Sequence, residues 1–276
     1  MSRICLCGLI GKSIDYTKSP SIHSYWYSKY EIKCYYIPIN VSEKNVLNTI
    51  KTLSNVNFVG VNITIPYKNT VFSLCSDVDD RAAQLEAVNT LVFEKNGKIT
   101  GYNTDIYGFQ KGLSIFLKEG NKVQNTIVVL GSGGACKAVI YALVDMGFKD
   151  IIILNRTISK AQVLAKQNKN VPKVQDWALR GYQVEKADLV INTTSLKIDE
   201  ELLGTEIKNM NTGCNIFDLN YFNLDAKISH EFRKKEISYE NGFSMLFYQA
   251  QQSFFHWFGI EPTVSDGLYK KVCHQI

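Results

Sequence analysis

The stretch TIVVLGSGGACKAVIYALVDMGF, residues 126–148, constrains the fold of this chain more than any other. An apolar run of strand length leads into a glycine-rich turn, and an apolar stretch of helical length follows. In such a unit Gly131 permits a tight turn, Gly133 lets the backbone approach a pyrophosphate, and the N–H groups at the helix start attract phosphate. Cys136 replaces the third glycine of the dinucleotide-binding pattern, so a glycine turn without a ligand is the alternative. The intact strand–turn–helix order favours a bound dinucleotide.

The next predicted strand indicates which dinucleotide is bound. Chains that bind NAD usually end this strand with an acidic residue that holds the ribose 2′-hydroxyl. Here the strand DIIILNRT ends in Asn155, Arg156 and Thr157. An arginine leaves a 2′-hydroxyl without its acceptor but pairs well with a 2′-phosphate. We therefore predict NADP as the cofactor; the alternative is a surface arginine at a strand end.

Strands alternate with helical stretches along the chain, which predicts an α/β fold. The predicted strands are Arg3–Leu9, Cys34–Ile39, Phe58–Ile65, Thr90–Glu94, Lys98–Gly101, Thr126–Leu130, Asp150–Asn155, Asp188–Asn192 and Asn215–Leu219. The predicted helices are one that begins near Ser19-Pro20, then Glu43–Leu53, Asp105–Lys118, Ala135–Met146, Ser159–Gln167 and Phe243–Phe258. Asn96-Gly97 is typical of a hairpin turn. From residue 126 the crossover helices imply a parallel sheet covered on both faces. We predict two domains, split near residues 105–125, where residues 121–125 are polar.

Composition narrows the functional class. A chain of 276 residues is long enough for two domains, and its net charge of +5 is scattered along the sequence. A nucleic-acid-binding protein usually concentrates basic residues, whereas a mild excess favours anionic small molecules. No apolar run approaches the roughly 20 residues that a bilayer requires. The seven cysteines form no CxxC pair and lie near no histidine cluster, so we expect reduced thiols in a cytoplasm and no metal site.

A polar strand face and a later aspartate form a second candidate site. In VGVNITIPYK the side chains of Gly60, Asn62 and Thr64 alternate with apolar ones and lead to Lys68. This pattern predicts either a lined pocket or an edge strand with a solvated face. In GYNTD, Asp105 precedes a predicted helix, as an N-cap residue does. It is also able to orient a lysine, since dehydrogenation of an alcohol needs a base for the hydroxyl proton.

The segment YTKSPSIHSYW offers two further hydroxyl groups. Thr17 and Ser19 lie two residues apart, so their hydroxyls point the same way in an extended loop. Alternatively, Ser19 caps the helix that Pro20 begins. We interpret His23 as a packed or surface histidine rather than a ligand.

Together these segments resemble the shikimate dehydrogenase family, in order and over nearly the whole chain. The segments that match the family patterns S-x-S-P-x-x-H, N-x-T-x-P-x-K, V-N-T, N-T-D, the glycine turn, N-R-T and M-L-x-x-Q are Thr17–His23, Asn62–Lys68, Val88–Thr90, Asn103–Asp105, Gly131–Ala135, Asn155–Thr157 and Met245–Gln249. The resemblance implies NADP-dependent interconversion of 3-dehydroshikimate and shikimate in aromatic amino-acid biosynthesis, in a cleft between two domains. It implies a substrate-binding domain of residues 1–105 and 243–276, a Rossmann-type NADP-binding domain of residues 106–242, and a monomer or homodimer.

The resemblance also assigns roles to individual residues. It implies that Lys68 and Asp105 are catalytic and exchange the proton of the substrate hydroxyl. The substrate-binding residues that it implies are Thr17, Ser19, Thr64, Asn89, Tyr221 and Gln249. The cofactor-binding residues that it implies are Gly131, Ser132, Gly133, Gly134, Ala135, Asn155, Arg156, Thr157, Thr193 and Gly242.

The chain departs from the family pattern at three places. Thr17 replaces a serine. The family's N-A-T-S-x-G-M becomes Asn192–Ile198, which lacks the glycine and methionine expected near the nicotinamide, and Y-x-P-x-x-T is reduced to Tyr221. All three departures concern the carboxylate or cofactor side rather than the lysine–aspartate pair.

Two other functions compete with this interpretation. One is a broader quinate/shikimate dehydrogenase that uses NAD or NADP; the Asn155-Arg156 ending argues against NAD, and turnover of quinate would decide the rest. The other is a catalytically silent ligand-binding protein, which has little need to keep both Lys68 and Asp105.

Overall fold

The computed structural model of the protein describes residues 4–118, 126–169, 171–221 and 223–273. Within these ranges the strands are β1 (Cys5–Gly11), β2 (Cys34–Asn40), β3 (Phe58–Ile63), β4 (Asp77–Val78), β5 (Thr90–Phe93), β6 (Ile99–Tyr102), β7 (Ile127–Leu130), β8 (Ile151–Asn155), β9 (Lys173–Asp176), β10 (Leu189–Asn192), β11 (Asn215–Asp218) and β12 (Ser238–Glu240). The α-helices are α1 (Ser19–Lys29), α2 (Val46–Leu53), α3 (Asp80–Leu85), α4 (Thr104–Lys118), α5 (Gly134–Asp145), α6 (Ile158–Gln167), α7 (Arg180–Lys186), α8 (Glu200–Leu203), α9 (Ala226–Lys234), α10 (Phe243–Phe258) and α11 (Asp266–Cys273).

The chain divides into two compact units. Unit 1 comprises Met1–Gly108 and Phe247–Ile276, and unit 2 comprises Phe109–Leu246. The division therefore falls inside helices α4 and α10. The polar stretch 121–125, which we considered as a boundary, lies outside the described residues.

The sheet of unit 1 is mixed, with strand order β2-β1-β3-β5-β6-β4. Strands β1, β2 and β3 are parallel because the helices α1 and α2 connect them as crossovers. Strand β5 is antiparallel to both β3 and β6. Phe93 pairs with Ile99 at the end of the β5–β6 hairpin, and Gly97 in its turn has φ +85°. The predicted Asn96-Gly97 hairpin is thus confirmed.

The sheet of unit 2 is wholly parallel, with strand order β12-β11-β10-β7-β8-β9. Strands β7, β8 and β10 are buried along nearly their whole length, as expected where helices cover both faces of a sheet. The strand order reverses between β7 and β10, and in sheets of this kind ligands bind at the carboxyl ends of the strands at that point. The predicted α/β architecture with a Rossmann-like parallel sheet is confirmed.

Strand β3 lies inside its sheet, between β1 and β5. The edge-strand interpretation of its polar face is therefore wrong, and Asn62 is only 5% exposed. The strand ends at Ile63, before the cis peptide bond between Ile65 and Pro66. Because the alternation ends with the strand, Ile65 is 65% exposed rather than on the apolar face.

An aromatic cluster in unit 1 encloses His23. The imidazole ring is fully buried, stacks on Tyr36 at 4.3 Å between ring centres and meets the Trp26 ring edge-on at 5.7 Å. Phe254 of helix α10 lies 6.2 Å away on the same cluster. Burial lowers the pKa of His23 from 6.5 to about 3. His23 is thus a packed core residue, which is one of the two alternatives that the sequence predicted.

We expect His23 to make the protein less stable in acid. Its folded pKa lies below its unfolded pKa, so its contribution is complete above pH 6.5 and is lost as the pH falls towards about 3. At about pH 5 the loss in unfolding free energy is about 2 kcal/mol. The variant His23→Phe keeps an aromatic ring without the titration, so its melting temperature should fall less between about pH 7 and about pH 5. His230→Gln, at an exposed histidine, serves as the control. Equal decreases in wild type and both variants, measured by circular dichroism, would contradict this expectation.

Candidate active site

Lys68 and Asp105 form an ion pair in unit 1. The Lys68 Nζ donates a hydrogen bond to Asp105 Oδ2 at 2.5 Å, and the two side chains are 21% and 13% exposed. Lys68 lies in the turn after β3, where its carbonyl accepts a hydrogen bond from the Val88 N–H at 2.9 Å. The backbone of Lys68 is therefore held in place, while the side chains of the pair stay partly exposed and able to contact a ligand.

Asn89 holds the other side of the Asp105 carboxylate. Its Nδ2 donates to Asp105 Oδ1 at 2.9 Å and to Thr104 Oγ1 at 3.0 Å. Its Oδ1 accepts the Thr104 N–H at 2.8 Å. Helix α4 begins at Thr104, so the N-cap interpretation of Asp105 is wrong, and its carboxylate is shared between Lys68 and Asn89. This arrangement fixes the direction from which Asp105 faces the lysine.

Thr17 and Ser19 lie side by side just before and at the start of α1. The Thr17 hydroxyl donates to Ser19 Oγ at 3.2 Å, and the Ser19 N–H donates to Thr17 Oγ1 at 3.3 Å. Helix α1 begins at Ser19, so Ser19 is not the residue that caps it. The two hydroxyls are thus adjacent, but the predicted extended loop is wrong, because Lys18 between them has helical backbone angles, φ −87° and ψ −9°.

The remaining predicted substrate residues are divided between the units. Thr64 lies directly after β3, where its N–H donates to the Ile10 carbonyl at 2.9 Å. Gln249 is a half-buried residue of α10 in unit 1. Tyr221 belongs to unit 2, where its ring stacks on Phe243 at 5.1 Å.

Ser253 of α10 is a buried polar centre that the sequence did not indicate. Its hydroxyl donates to the Gln249 carbonyl at 3.0 Å and accepts from Asn62 Nδ2 at 2.9 Å. It also bonds the hydroxyls of Thr90 at 2.8 Å and Thr104 at 3.3 Å. The polar face of β3 is thus part of an internal network that supports Thr104, next to Asp105. The signal available in the sequence was a serine directly before the aromatic run FFHWF.

Removing the Ser253 hydroxyl is expected to lower the unfolding free energy by about 1–3 kcal/mol, because buried donors and acceptors lose their partner. Thermal or urea unfolding of Ser253→Ala measures this effect. Ser73→Ala is the matched control, since the exposed Ser73 hydroxyl also donates to a backbone carbonyl, that of Thr70. Equal stability of the two variants would show that the network contributes nothing.

Unit 2 contains a cavity of about 400 Å³ at the carboxyl ends of β7, β8 and β10. Six of the predicted cofactor residues line it: Gly131, Ser132, Gly133, Asn155, Arg156 and Thr157. Gly134 and Ala135 begin helix α5 beside it. Lys160 and Trp177 also line the cavity, and neither was predicted. The structure therefore brings the glycine turn and the end of β8 to one place.

The backbone of the glycine turn fits a dinucleotide. Gly131 has φ +100°, and a Cβ there would lie 2.9 Å from Thr193 Oγ1. A Cβ at Gly133 would meet nothing within 4 Å, so the backbone there is open to a phosphate. Gly133 precedes α5 without a side chain that caps the helix, which leaves the first N–H groups of α5 available.

Arg156 supplies the cationic group that a 2′-phosphate needs. Its side chain is exposed and lies at the cavity. Among the described residues it makes no ion pair or hydrogen bond through its guanidinium, whose nearest partner is the Trp177 ring at 5.8 Å. Its five donors therefore remain for a ligand. The donor set of this cavity fits NADP.

The segment that departs from the family pattern forms an ordered loop beside this cavity. Asn192 Oδ1 accepts the Thr194 N–H at 3.0 Å, and its Nδ2 donates to the Leu196 carbonyl at 2.8 Å and to Asp218 Oδ1 at 2.9 Å. Asp218 is fully buried, and this burial raises the pKa of its carboxyl group. Ile198, at the methionine position of the pattern, is buried in the core of unit 2. Isoleucine thus fills an apolar position without breaking the loop.

Packing explains the glycine at residue 242. A Cβ there would lie 2.2 Å from the Leu219 carbonyl oxygen. No larger residue fits this position without a backbone shift. Its place among the cofactor residues stays a prediction.

Over the described ranges, no helix is both long enough and apolar enough to cross a membrane.

Comparisons with known proteins agree with this geometry. The family model of the shikimate dehydrogenase substrate binding domain matches residues 9–91, and that of shikimate/quinate 5-dehydrogenase matches residues 116–219. Shikimate dehydrogenase (NADP(+)) of Roseobacter denitrificans is 35% identical over 267 residues, which cover 96% of each chain.

Two solved structures extend the comparison. A shikimate dehydrogenase in complex with NADP+ has a TM-score of 0.86 and 27% identity, covering 100% of this chain and 97% of the other. Quinate dehydrogenase from Corynebacterium glutamicum, in complex with NAD, has a TM-score of 0.85 and 27% identity, covering 97% and 98%. Matches of this extent over both halves of the sequence mean that the chain belongs to the shikimate dehydrogenase family.

Proposed function

We propose that this protein is an NADP-dependent dehydrogenase that reversibly reduces 3-dehydroshikimate to shikimate in aromatic amino-acid biosynthesis. The observation that carries the proposal is the Lys68–Asp105 pair, joined at 2.5 Å and open to a ligand. A binding protein without catalysis has no need for a proton-transfer pair held by Asn89 on its far side. The naming of the Roseobacter denitrificans relative as an NADP(+) shikimate dehydrogenase supports the same function.

Lys68 and Asp105 are the proposed catalytic residues. Oxidation of a secondary alcohol releases a hydroxyl proton. The Lys68 amine in its unprotonated form accepts this proton and becomes the ammonium group that pairs with Asp105. Asp105 orients the lysine, and Asn89 keeps Asp105 from rotating away, since each carboxylate oxygen has its own donor. NADP, when bound, supplies the hydride acceptor.

Six residues are the proposed substrate-binding residues, and Asp105 also contacts the substrate. Thr17 and Ser19 bind the substrate carboxylate through their adjacent hydroxyls. The ring hydroxyls are bound by Asn89, Asp105 and Gln249. For Asn89 this means that a bond to the substrate replaces one of its two amide bonds, to Asp105 or to Thr104. Thr64 and Tyr221 complete the proposed set. Residues 1–105 and 243–276 form the proposed substrate domain, and residues 106–242 the proposed NADP domain.

The cofactor preference rests on the end of β8. Arg156 and Asn155 stand where NAD-binding chains place a carboxylate. No described residue accepts a hydrogen bond from the Arg156 guanidinium, so its donors remain for a 2′-phosphate. The glycine turn and the start of α5 bind the pyrophosphate, with Thr193 beside Gly131. The second candidate is a quinate/shikimate enzyme that uses NAD. It is included in the test below because one similar structure is a quinate dehydrogenase in complex with NAD.

We further propose that the protein works in the cytoplasm as a monomer or homodimer. All seven cysteines are free thiols, which supports a reducing compartment. Size-exclusion chromatography with light scattering distinguishes the two states.

The function is tested by absorbance at the reduced-nicotinamide band. Purified protein is mixed with shikimate and either NADP⁺ or NAD⁺, and then with quinate instead of shikimate. We expect a rise that depends on shikimate and NADP⁺. A comparable rise with quinate or NAD⁺ would replace the proposal by the broader enzyme. No rise in any mixture, from protein with a folded circular dichroism spectrum, would favour the silent binding protein.

A further inference from the structure

Trp177 lies at the cavity of unit 2, and two arginines contact its ring. The Arg156 Cζ is 5.8 Å from the ring centre, and the Arg180 Cζ is 5.2 Å from it. Both distances lie within the range of a cation–π contact. Trp177 begins the turn that follows β9 and lines the cavity together with Arg156.

The two arginines differ in what else they bind. The Arg180 guanidinium donates to the Glu201 carbonyl at 3.0 Å and to the Trp177 carbonyl at 3.4 Å. Its side chain is also confined by Gly204, where a Cβ would lie 2.5 Å from the Arg180 Cγ. The Arg156 guanidinium makes no hydrogen bond to any described residue. The Arg180 guanidinium is thus hydrogen-bonded to the protein backbone, whereas the contact of the Arg156 guanidinium with the described residues is the Trp177 ring.

The Trp177 ring itself has a fixed position. It is half-buried and packs against the core cluster of unit 2. The preceding Asp176 accepts the Ala178 N–H at 2.8 Å, which fixes the turn that carries the tryptophan. A rigid aromatic face of this kind is able to hold a guanidinium group by its plane, and the N–H donors of the guanidinium then stay available to a ligand.

We propose that Trp177 is a positioning residue for the nucleotide 2′-phosphate: its ring holds the Arg156 guanidinium at the cavity and thereby favours NADP over NAD. The proposal rests on the proposed function, since it assumes that this cavity takes the nucleotide. It assigns to Trp177 an effect through Arg156, not a contact with the phosphate. Trp177 should therefore matter only for ligands that carry the 2′-phosphate.

The test is calorimetric binding of adenosine 2′,5′-bisphosphate, NADP⁺ and NAD⁺ to three variants of the full chain. Trp177→Leu removes the aromatic face but keeps apolar bulk against the core. It should weaken both 2′-phosphate ligands about three- to tenfold, the scale of a partly exposed cation–π contact, and leave NAD⁺ within about twofold. Trp177→Phe should recover most of the affinity. Tyr182→Leu is the matched control, because Tyr182 is an exposed aromatic with its own cation, Lys186, at 3.8 Å, and it should leave all three affinities unchanged.

A double-mutant cycle separates positioning from general damage. In the Arg156→Ala background, Trp177→Leu should weaken adenosine 2′,5′-bisphosphate no further, since the residue it positions is gone. Equal weakening of NADP⁺ and NAD⁺ binding by Trp177→Leu, or full additivity in the cycle, would overturn this proposal. The proposed function would still hold in that case, provided that the wild type binds NADP⁺. Absence of NADP⁺ binding to the folded wild type would instead overturn the proposed function, and this inference with it.

Discussion

Replacing Lys68 by alanine is expected to lower kcat for shikimate oxidation by roughly 10²-fold or more, the scale of lost acid–base catalysis. The physical reason is that Lys68, which is paired with Asp105, is the proposed acceptor of the substrate hydroxyl proton, and alanine has no group that accepts a proton. The fold should persist, because the side chain is partly exposed and the local backbone is held by the Lys68 carbonyl and the Val88 N–H. Steady-state kinetics at the nicotinamide band measure the change.

Two further lysine variants define what the loss means. Lys68→Arg keeps the positive charge beside Asp105 but does not give up a proton, so it should stay nearly as slow as the alanine variant. Lys44→Ala, at an exposed lysine, should retain wild-type kcat. Recovery of activity in Lys68→Arg would mean that the lysine acts by charge alone. Unchanged turnover in Lys68→Ala would remove the lysine from the mechanism.

Replacing Arg156 by alanine is expected to raise KM for NADP⁺ about ten- to a hundredfold, the scale of one charge-assisted hydrogen bond, about 1.5–3 kcal/mol. Affinity for NAD⁺ should change little, because its 2′-hydroxyl has no negative charge for a guanidinium to bind. The ratio of kcat/KM for the two cofactors is the measured quantity. Arg233→Ala, a basic residue in the last turn of α9, is the control for a general loss of positive charge. Equal weakening of both cofactors by Arg156→Ala would mean that Arg156 does not bind the 2′-phosphate.

The sequence predicted those parts of the fold that depend on local patterns. The apolar runs that became β7, β8 and β10 are buried along nearly their whole length, and their shortness and β-branched residues favoured strands over helices. The Asn96-Gly97 turn determined its hairpin in the same local way. Strands β9 and β12 went unpredicted because they are short, largely polar and paired on one side only.

Long-range contacts explain what the sequence left open at the site. The residue types near Lys68 and Asp105 suggested a pair, but only the fold brings the two within 2.5 Å across 37 positions. Ser253 reaches Asn62 across 191 positions and Thr104 across 149, and no periodicity signals such a contact. Trp177 likewise stood outside every motif, because its importance lies in which cations contact its ring.

The link between Ser253 and the first half of the chain has a consequence for biosynthesis. Unit 2 is continuous in sequence, so all of its residues leave the ribosome before those of 247–276. Unit 1 cannot complete its contacts until Ser253 has been synthesised, 191 residues after Asn62. At about 5–20 residues per second, that separation is a delay of roughly 10–40 s. During this interval Asn62 and Thr90 lack their hydrogen bonds to Ser253, and His23 lacks its contact with the Phe254 ring. The half that is synthesised first is therefore the half that is completed last.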